Sequence, residues 1–513
     1  MAGKTFAAID VGSFEIEMKI FEISNKKGMK QIDDLRHRLD LGSETYETGK
    51  LSVQKVEELC KILKSFAQTM KTYRVDDYRA YGTSAIREMR GTQILIDQIE
   101  QRTGIHIDVL SNSEQRFLDY KSVASKTEEF HELTQDGAIL DIGGDGVQLS
   151  LFEDGKLTAT QNMRLGVLRL NEALSRLDAG SYRMEQIIEE IVMSQLDVFR
   201  KLYLKERKIR NLIVVDDYFS AICKQRTEPG LKAGYVRTKV FERFTGNMMA
   251  QSTNQVAEQL DIPEENARLL LISCCLLRHV VAMMDTQMIW APGVTLCDGI
   301  VYEYADKNKL IRSEHDFEAD ILSSAMNIRR RYMGSRKRGE TLEQITLTVF
   351  DSMKKVHGLG RRERLLLQLS AILHDCGKYI SMINLAECSY NIVMSTEIIG
   401  LSHREREIIA NVVKYNHMPF DYDALDESSS GLDRETELTI AKLTAILRIA
   451  NGLDRSHKQK FKNVKTQLKE DRLEVIVETG EDITLEKGLF RARADFFEEI
   501  FAIRPVIRQK RIF

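Results

Sequence analysis

The residues best suited to chemistry are two aspartates, each followed by a glycine-containing turn. Asp10 ends an apolar run and precedes Val-Gly-Ser, and Asp141 ends a second apolar run and precedes Ile-Gly-Gly-Asp-Gly. Glycine lets backbone N–H groups approach an anion closely, while the carboxylate can hold a metal ion or a water molecule. Because Asp-Gly pairs are also ordinary hairpin residues, either turn alone is equally open to a purely structural interpretation.

The elements around these turns indicate a duplicated domain. Residues 15–21 and 147–152 alternate apolar and polar side chains, as the return strand of a hairpin does. The two turns lie about one domain length apart. We therefore expect two related α/β units, each with its aspartate at the end of its first strand.

A third polar segment, residues 81–88, lies between the two turns. It contains Thr83, Ser84 and Arg87. Arginine can donate two parallel hydrogen bonds to phosphate oxygens. The hydroxyl residues can equally cap a helix, and the two interpretations are compatible.

With these motifs in order, the chain resembles the exopolyphosphatase and guanosine pentaphosphate phosphohydrolase (Ppx/GppA) family of the actin and sugar-kinase superfamily. The resemblance covers nearly the whole chain. Its further segments are residues 103–105, 109–114, 164–170, 296–299, 350–351, 357–360, 373–377, 402–407 and 453–457.

The resemblance implies hydrolysis of a terminal phosphoanhydride by water, assisted by Mg²⁺ or another divalent cation. Glu114 matches the catalytic glutamate of the family and would orient the water, and Asp141 would hold the metal. The implied substrate-binding residues are Asp10, Gly12, Ser13, Ser84, Arg87, Gly143, Gly144, Asp145, Gly146 and Gln148. Ser111 and Glu114 also form a capping-box pattern, which is locally an equally good explanation of that glutamate.

Three segments depart from the family pattern. Phe14 and Glu15 replace polar, uncharged residues after the first turn, and Gln148 replaces a glutamate after the second. Glutamine can orient water but cannot accept a proton at pH 7. A glycine-rich turn is expected after residue 215, but residues 216–219 are Asp-Asp-Tyr-Phe, which suits a nucleotide poorly.

The C-terminal extension resembles an HD-type metallophosphohydrolase domain, in which two His and two Asp side chains gather a divalent metal. His374 and Asp375 supply one adjacent pair. The other ligand positions fall near Arg338, at Cys388, and at Asn451 or Asp454. This incomplete set favours a structural or polyanion-guiding domain over a working hydrolase centre.

Composition indicates a large globular protein without export signals. The 513 residues are 43% hydrophobic and 29% charged, and the net charge is −3, so no nucleic-acid partner is predicted. Seven scattered cysteines and the absence of a signal segment predict a reduced, cytoplasmic protein. Residues 269–284 predict a buried helix rather than a membrane span.

Positive charge is concentrated in the C-terminal third, in clusters around residues 329–331, 336–338, 361–364, 458–462 and 508–511. Each cluster is explained by a solvated helix face. Together they could also guide a polyanion.

The predicted fold class is α/β, with two actin-like (ribonuclease H-like) lobes, a mostly helical HD-like extension and a small α+β cap. The predicted domains are residues 1–125 for lobe I, 126–312 for lobe II, 313–460 for the extension and 461–513 for the cap. The predicted function is an exopolyphosphatase acting on inorganic polyphosphate. Guanosine pentaphosphate hydrolysis and a catalytically impaired sensor of polyphosphate or an alarmone are the alternatives. A homodimer is implied by the resemblance.

Overall fold

A computed structural model describes residues 3–26, 28–177, 184–216, 218–225, 231–425, 431–454, 458–461 and 463–510. Asp217, Lys462, Arg511 and residues 455–457, which figure in the motifs above, lie outside this set. The chain divides into two compact units, Met1–Asp320 and Ile321–Phe513. The predicted domain boundaries stay predictions.

Unit 1 begins with a five-stranded sheet, which we call the lobe I sheet, in the order β3-β2-β1-β4-β5. Its strands are β1 Lys4–Val11, β2 Glu15–Ser24, β3 Gly28–Arg38, β4 Asp77–Gly82 and β5 Asp108–Val109. The first three strands are antiparallel, and β4 and β5 continue the sheet in parallel with β1.

A six-stranded sheet, the lobe II sheet, repeats this plan in the order β10-β11-β9-β6-β7-β8. Its strands are β6 Gly137–Ile142, β7 Val147–Glu153, β8 Lys156–Met163, β9 Asn211–Val215, β10 Tyr235–Arg237 and β11 Met288–Trp290. Asp10 pairs with Glu17 on β2, and Asp141 pairs with Gln148 on β7. The two aspartates therefore occupy equivalent sheet positions, as a duplication requires.

Helices cover both sheets. Those of unit 1 are α1 Gly42–Thr48, α2 Val53–Tyr73, α3 Ser84–Arg87, α4 Thr92–Thr103, α5 Asn112–Ala124, α6 Thr127–Leu133, α7 Val167–Arg176, α8 Met184–Phe199, α9 Phe219–Gln225, α10 Thr238–Met249, α11 Thr253–Leu260, α12 Glu264–Met284 and α13 Leu296–Lys307. Separate hydrophobic cores lie under the helices of each sheet. A third core joins α13 to the lobe I sheet, so the chain returns to lobe I after completing lobe II.

Within the described ranges, α12 is the one helix long and apolar enough to cross a membrane. The structure buries 72% of its most apolar window. Its buried side chains belong to the lobe II core, so the predicted buried helix is confirmed.

Unit 2 is mostly helical. The boundary between the units falls within α14, Phe317–Arg331. The following helices are α15 Arg336–Ser352, α16 Lys354–His357, α17 Arg361–Leu373, α18 Leu385–Ser395, α19 His403–Tyr415, α20 Arg434–Leu453 and α21 Thr484–Phe501. A small sheet in the order β12-β13-β14 is formed by Asn463–Leu468, Arg472–Glu478 and Arg504–Lys510. The α+β character predicted for this segment is confirmed.

Candidate active site

The two strand-end aspartates meet in one cleft. Asp10 on β1 and Asp141 on β6 both line a cavity of about 100 Å³. The turn after each is closed by an equivalent backbone hydrogen bond, from Gly12 N–H to Glu15 O at 3.1 Å and from Gly143 N–H to Gly146 O at 2.9 Å. These two amides therefore serve the hairpin turns.

The hydroxyl groups predicted as anion contacts bind one another. Ser13 Oγ, Tyr46 Oη and Ser84 Oγ lie 2.8 Å apart in all three pairs. Burial raises the pKa of the Tyr46 phenol to about 12. Ser13 and Thr83 line the cleft, whereas Ser84 lies behind them in this hydroxyl cluster.

Arg87 supports the chain that enters α5. Its guanidinium donates to the carbonyl oxygen of Leu110 at 2.8 Å and to the side-chain oxygen of Gln115 at 3.4 Å. Burial lowers the pKa of Arg87. Arg87 is not among the residues that line the cleft.

Helix α5 directs side chains into the cleft, but the predicted Glu114 is not one of them. The Glu114 carboxylate accepts the Ser111 N–H at 3.0 Å, and the Glu114 N–H donates to Ser111 Oγ at 3.3 Å, which completes a capping box. Gln115, Arg116 and Asp119 line the cleft, and Glu114 does not. The catalytic role of Glu114 stays a prediction, and the capping alternative describes its observed contacts.

Arg116 was not expected from sequence. It is buried, and its Nη1 lies 2.6 Å from Asp141 Oδ1 while its Nη2 donates to Gly146 O at 2.8 Å. A Cβ atom at Gly143 would lie 3.2 Å from the guanidinium, so glycine there permits this close approach. The second turn thus binds the cationic side chain of Arg116, which α5 supplies. The only sequence signal was the position of Arg116 two residues after Glu114.

Asp119 is the second unexpected residue. Its carboxyl lies one helical turn beyond Gln115, is buried, and is within hydrogen-bonding reach of Asp141. Burial and the negative charges of Asp141 and Asp10 raise its pKa well above the usual value, although Arg116 opposes this. Asp119 therefore joins Asp10 and Asp141 in this cleft, which Asp216 also lines.

Asp145 of the second turn is linked to lobe I through Arg169 on α7. Asp145 pairs with Arg169, and the same guanidinium lies 2.8 Å from Glu88. Gly144 lines the cleft, whereas Asp145, Gly146 and the buried Gln148 do not. Asp145 therefore does not present an unbalanced charge to an anion.

Two family models match the chain. One, described as the Ppx/GppA phosphatase family, matches residues 19–308, and the other, Ppx/GppA phosphatase domain III, matches residues 322–492. The chain belongs to the Ppx/GppA phosphatase family. The predicted membership and the predicted fold class, two actin-like lobes with a mostly helical extension, are confirmed.

Other Ppx/GppA proteins are similar along most of their length. A guanosine-5'-triphosphate,3'-diphosphate pyrophosphatase from Vibrio parahaemolyticus is 20% identical over 457 residues, which are 86% of each chain. An exopolyphosphatase from Cytophaga hutchinsonii is 19% identical with a TM-score of 0.50, covering 60% of this chain and 100% of that one. A Ppx/GppA protein from Aquifex aeolicus is 14% identical with a TM-score of 0.50, covering 61% and 100%. Because these sequence identities are low, the structural similarity shows that the fold is shared and shows nothing more.

The cleft of this Ppx/GppA chain has the donors for a hydrated divalent cation. Asp141 Oδ2 is buried and accepts no hydrogen bond from the described residues, and the Asp119 carboxyl lies beside it. Two carboxyl groups in contact need a proton or a cation between them. Among the described residues no group of three or more His, Cys, Asp or Glu side chains forms a metal cage. Mg²⁺ usually binds through one or two carboxylates, waters and substrate phosphates, so two carboxylates suffice.

Domain III brings four of the predicted HD-like positions together around an arginine, and Cys388 is not among them. We call Arg338, His374, Asp375 and Asn451 the Arg338 centre. Arg338 Nη1 lies 3.2 Å from Asp375 Oδ2, and its Nη2 donates to Asn451 Oδ1 at 3.2 Å. All four side chains are buried. A guanidinium therefore neutralises the aspartate, and the metal-binding role of His374 and Asp375 stays a prediction.

Two histidines, the buried His374 of this centre and the partly buried His417 next to it, make stability depend on pH. His374 Nδ1–H donates to Ala371 O at 2.8 Å, and His417 Nε2–H donates to His374 O at 2.5 Å. Burial lowers the pKa of His374 to about 3 and that of His417 to about 4. Because the unfolded histidines bind protons below about pH 6.5 and the folded ones do not, folding stability falls as pH drops from about 6.5 towards 4.

We expect the free energy of unfolding to fall by about 1 kcal/mol per histidine between pH 7 and pH 5.5. Urea unfolding followed by circular dichroism at several pH values measures this. His417→Gln should make the pH dependence shallower, whereas substitution of the exposed His403 by Gln should not. An unchanged slope in His417→Gln would contradict the assignment.

Proposed function

We propose that this protein is an exopolyphosphatase that releases terminal phosphate from inorganic polyphosphate with the help of Mg²⁺. The observation that supports it is the convergence of Asp10, Asp119 and Asp141 with Arg116 in one narrow cleft. A strongly acidic cleft repels a bare polyanion but accepts one that arrives with a divalent cation. Membership of a phosphatase family supports the hydrolytic reaction. The choice of polyphosphate as the substrate is our proposal.

In this proposal the residues of the cleft have three separate roles. Asp119 and Asp141 hold Mg²⁺, which supplies the positive charge that neutralises the phosphate oxygens. Arg36 and Arg116 both line the cleft, where they are paired with Glu17 and Asp141, and they are the cations that would contact the phosphate chain once Mg²⁺ balances the carboxylates. Asp10, which comes from the other sheet, accepts a hydrogen bond from the attacking water and aims it at the terminal phosphorus.

Two observations bear on the alternatives. The relative from Vibrio parahaemolyticus is named for a guanosine substrate, which makes guanosine pentaphosphate the competing substrate. A sensor without turnover is favoured by the use of the Gly12 and Gly143 amides within the turns and by the capping role of Glu114. The altered Gln148 is consistent with either outcome.

Phosphate release by the purified full-length protein tests the proposal. Long-chain polyphosphate and guanosine pentaphosphate are supplied separately, with Mg²⁺ or with a chelator. We expect Mg²⁺-dependent release from polyphosphate. Release from guanosine pentaphosphate alone would assign the nucleotide activity, and binding of either compound without release would assign the sensor.

In four of the five basic clusters of the C-terminal third, at least one side chain forms an ion pair. These pairs include Arg336–Glu340 at 2.8 Å, Arg362–Glu405 at 2.5 Å, Arg364–Asp351 at 2.7 Å, Lys460–Glu486 at 2.9 Å and Arg508–Glu474 at 3.5 Å. Paired charges attract a polyanion less than free ones do. These contacts favour the solvated-face explanation of the clusters over a guiding path.

A cytoplasmic homodimer belongs to the same proposal. Reduced cysteines support the compartment: among the described residues all seven cysteines are free thiols, six of them buried. A chain of 58.9 kDa should elute with twice that mass by light scattering if it dimerises.

A further inference from the structure

One aromatic side chain from each lobe closes part of the cleft. Phe14 follows Ser13 in the first turn, and Tyr218 follows β9 in lobe II. Both line the cleft, and their ring centroids are 6.0 Å apart with 59° between the ring planes. Phe14 also packs against the lobe II core. The two rings therefore form a contact across the cleft at two of the positions where this chain departs from its family.

The Phe14 ring has a further partner. The Arg38 guanidinium lies over it, 4.7 Å from the ring centroid. Arg38 is on β3, and it pairs with Glu265 on α12, so the same side chain links lobe I to lobe II. The aromatic contact and this ion pair bridge the lobes side by side.

The turn that carries Tyr218 is held in place. The buried Asp216 carboxylate accepts the N–H groups of Tyr218 at 2.6 Å and Phe219 at 2.5 Å, together with the Ser273 hydroxyl at 2.5 Å. Three donors on one carboxylate fix the backbone at this point. The Tyr218 backbone is thus anchored to the Asp216 side chain.

These rings suit an inorganic chain better than a nucleoside. A base inserted between two rings needs about 7 Å, twice the contact distance between carbon atoms, and the observed rings are closer and tilted. Phe14 already stacks on Arg38. Apart from the Tyr218 hydroxyl, which Tyr218→Phe removes, the two rings offer no hydrogen bond to phosphate, so their contribution at this site is to restrict the width of what enters.

We propose that Phe14 and Tyr218 form a specificity gate that admits an unbranched inorganic phosphate chain and excludes a substrate carrying a nucleoside. The proposal rests on the proposed function and assigns its substrate class to these two rings. Removal of either ring widens the entrance for guanosine without touching the three aspartates.

The test compares kcat/KM for guanosine pentaphosphate and for tripolyphosphate in four variants and in the unaltered protein. We expect Phe14→Ala and Tyr218→Ala to raise the ratio of guanosine pentaphosphate to tripolyphosphate at least tenfold. Phe14→Leu and Tyr218→Phe retain the bulk and should keep the original ratio. An unchanged ratio in the alanine variants, or a lower one, would overturn the gate, because a lower ratio means that the rings stack on the base.

Calorimetric titration with the same two compounds and Mg²⁺ separates the gate from the hydrolytic function. If no variant releases phosphate, the proposed hydrolysis has failed. The gate still requires that the alanine variants gain at least tenfold in affinity for guanosine pentaphosphate relative to tripolyphosphate. Equal or reduced relative affinity would reject it independently of turnover.

Discussion

Substitution of Asp119 by Asn should lower Mg²⁺-dependent phosphate release on the order of 10³-fold. Asp119 lies in the cleft beside Asp141, and its carboxyl is one of the two that can hold the cation. Asparagine keeps the shape but carries no negative charge. Initial rates of phosphate release over a range of Mg²⁺ concentrations measure the loss and show whether more cation restores activity.

Glu114→Gln is the matched comparison on the same helix. Its carboxylate caps α5 through the Ser111 N–H, and a glutamine oxygen accepts the same hydrogen bond, so we expect most of the activity and most of the stability to remain. The opposite pattern, with Glu114→Gln inactive and Asp119→Asn active, would establish the role predicted for Glu114 from sequence and exclude Asp119. Thermal unfolding of both variants controls for folding.

Much of the fold could be predicted because its signals are local. The end of β1 and the end of β6 both follow from an apolar run, an aspartate and a glycine turn, and the alternating segments after them are hairpin partners. Helix α2, Val53–Tyr73, likewise follows from the helical spacing of its apolar residues. The return of α13 to lobe I could not be predicted, since its apolar face is compatible with packing on either sheet.

The site was harder to predict because its contacts join distant parts of the chain. Asp10 and Asp141 could be placed in one cleft from their equivalent positions. Arg116 and Asp119 could not, because the direction of a helix side chain depends on the rotation of α5 against both lobes. Glu114 shows the same limit, since one sequence pattern was compatible with a cap and with a catalytic carboxylate.

The pairing of Phe14 with Tyr218 illustrates a further limit. Each residue was recognised as a departure from its family, at two separate places in the sequence. Only the packing of lobe I against lobe II places the two ring centroids 6.0 Å apart. The proposed specificity element combines two residues that differ from the family pattern. It can therefore be found in the structure but not in either sequence motif alone.

The Arg338 centre gives the largest expected effect on stability. Removal of the guanidinium by Arg338→Met leaves the buried Asp375 carboxylate without its partner on α15, and this should cost about 3–5 kcal/mol. Burial raises the pKa of Asp375. The neighbouring His374, Lys378 and Arg338 lower it by more, so the pKa of Asp375 stays below its usual value. The loss should appear as a lower midpoint of urea unfolding.

Arg336→Met is the control for this prediction, because Arg336 lies on the same helix and makes an exposed pair with Glu340. Such a solvent-exposed pair contributes little to stability, so Arg336→Met should leave the unfolding midpoint nearly unchanged. The double variant Arg338→Met with Asp375→Asn removes both charges and should recover a large part of the stability lost in Arg338→Met. If the double variant were as unstable as the sum of the two single ones, the guanidinium would not be acting as the counter-charge of Asp375. A cation at this position would then remain to be found by metal analysis of the purified protein. Recovery would instead assign to Arg338 the charge-balancing task that a divalent metal performs in an HD-type centre.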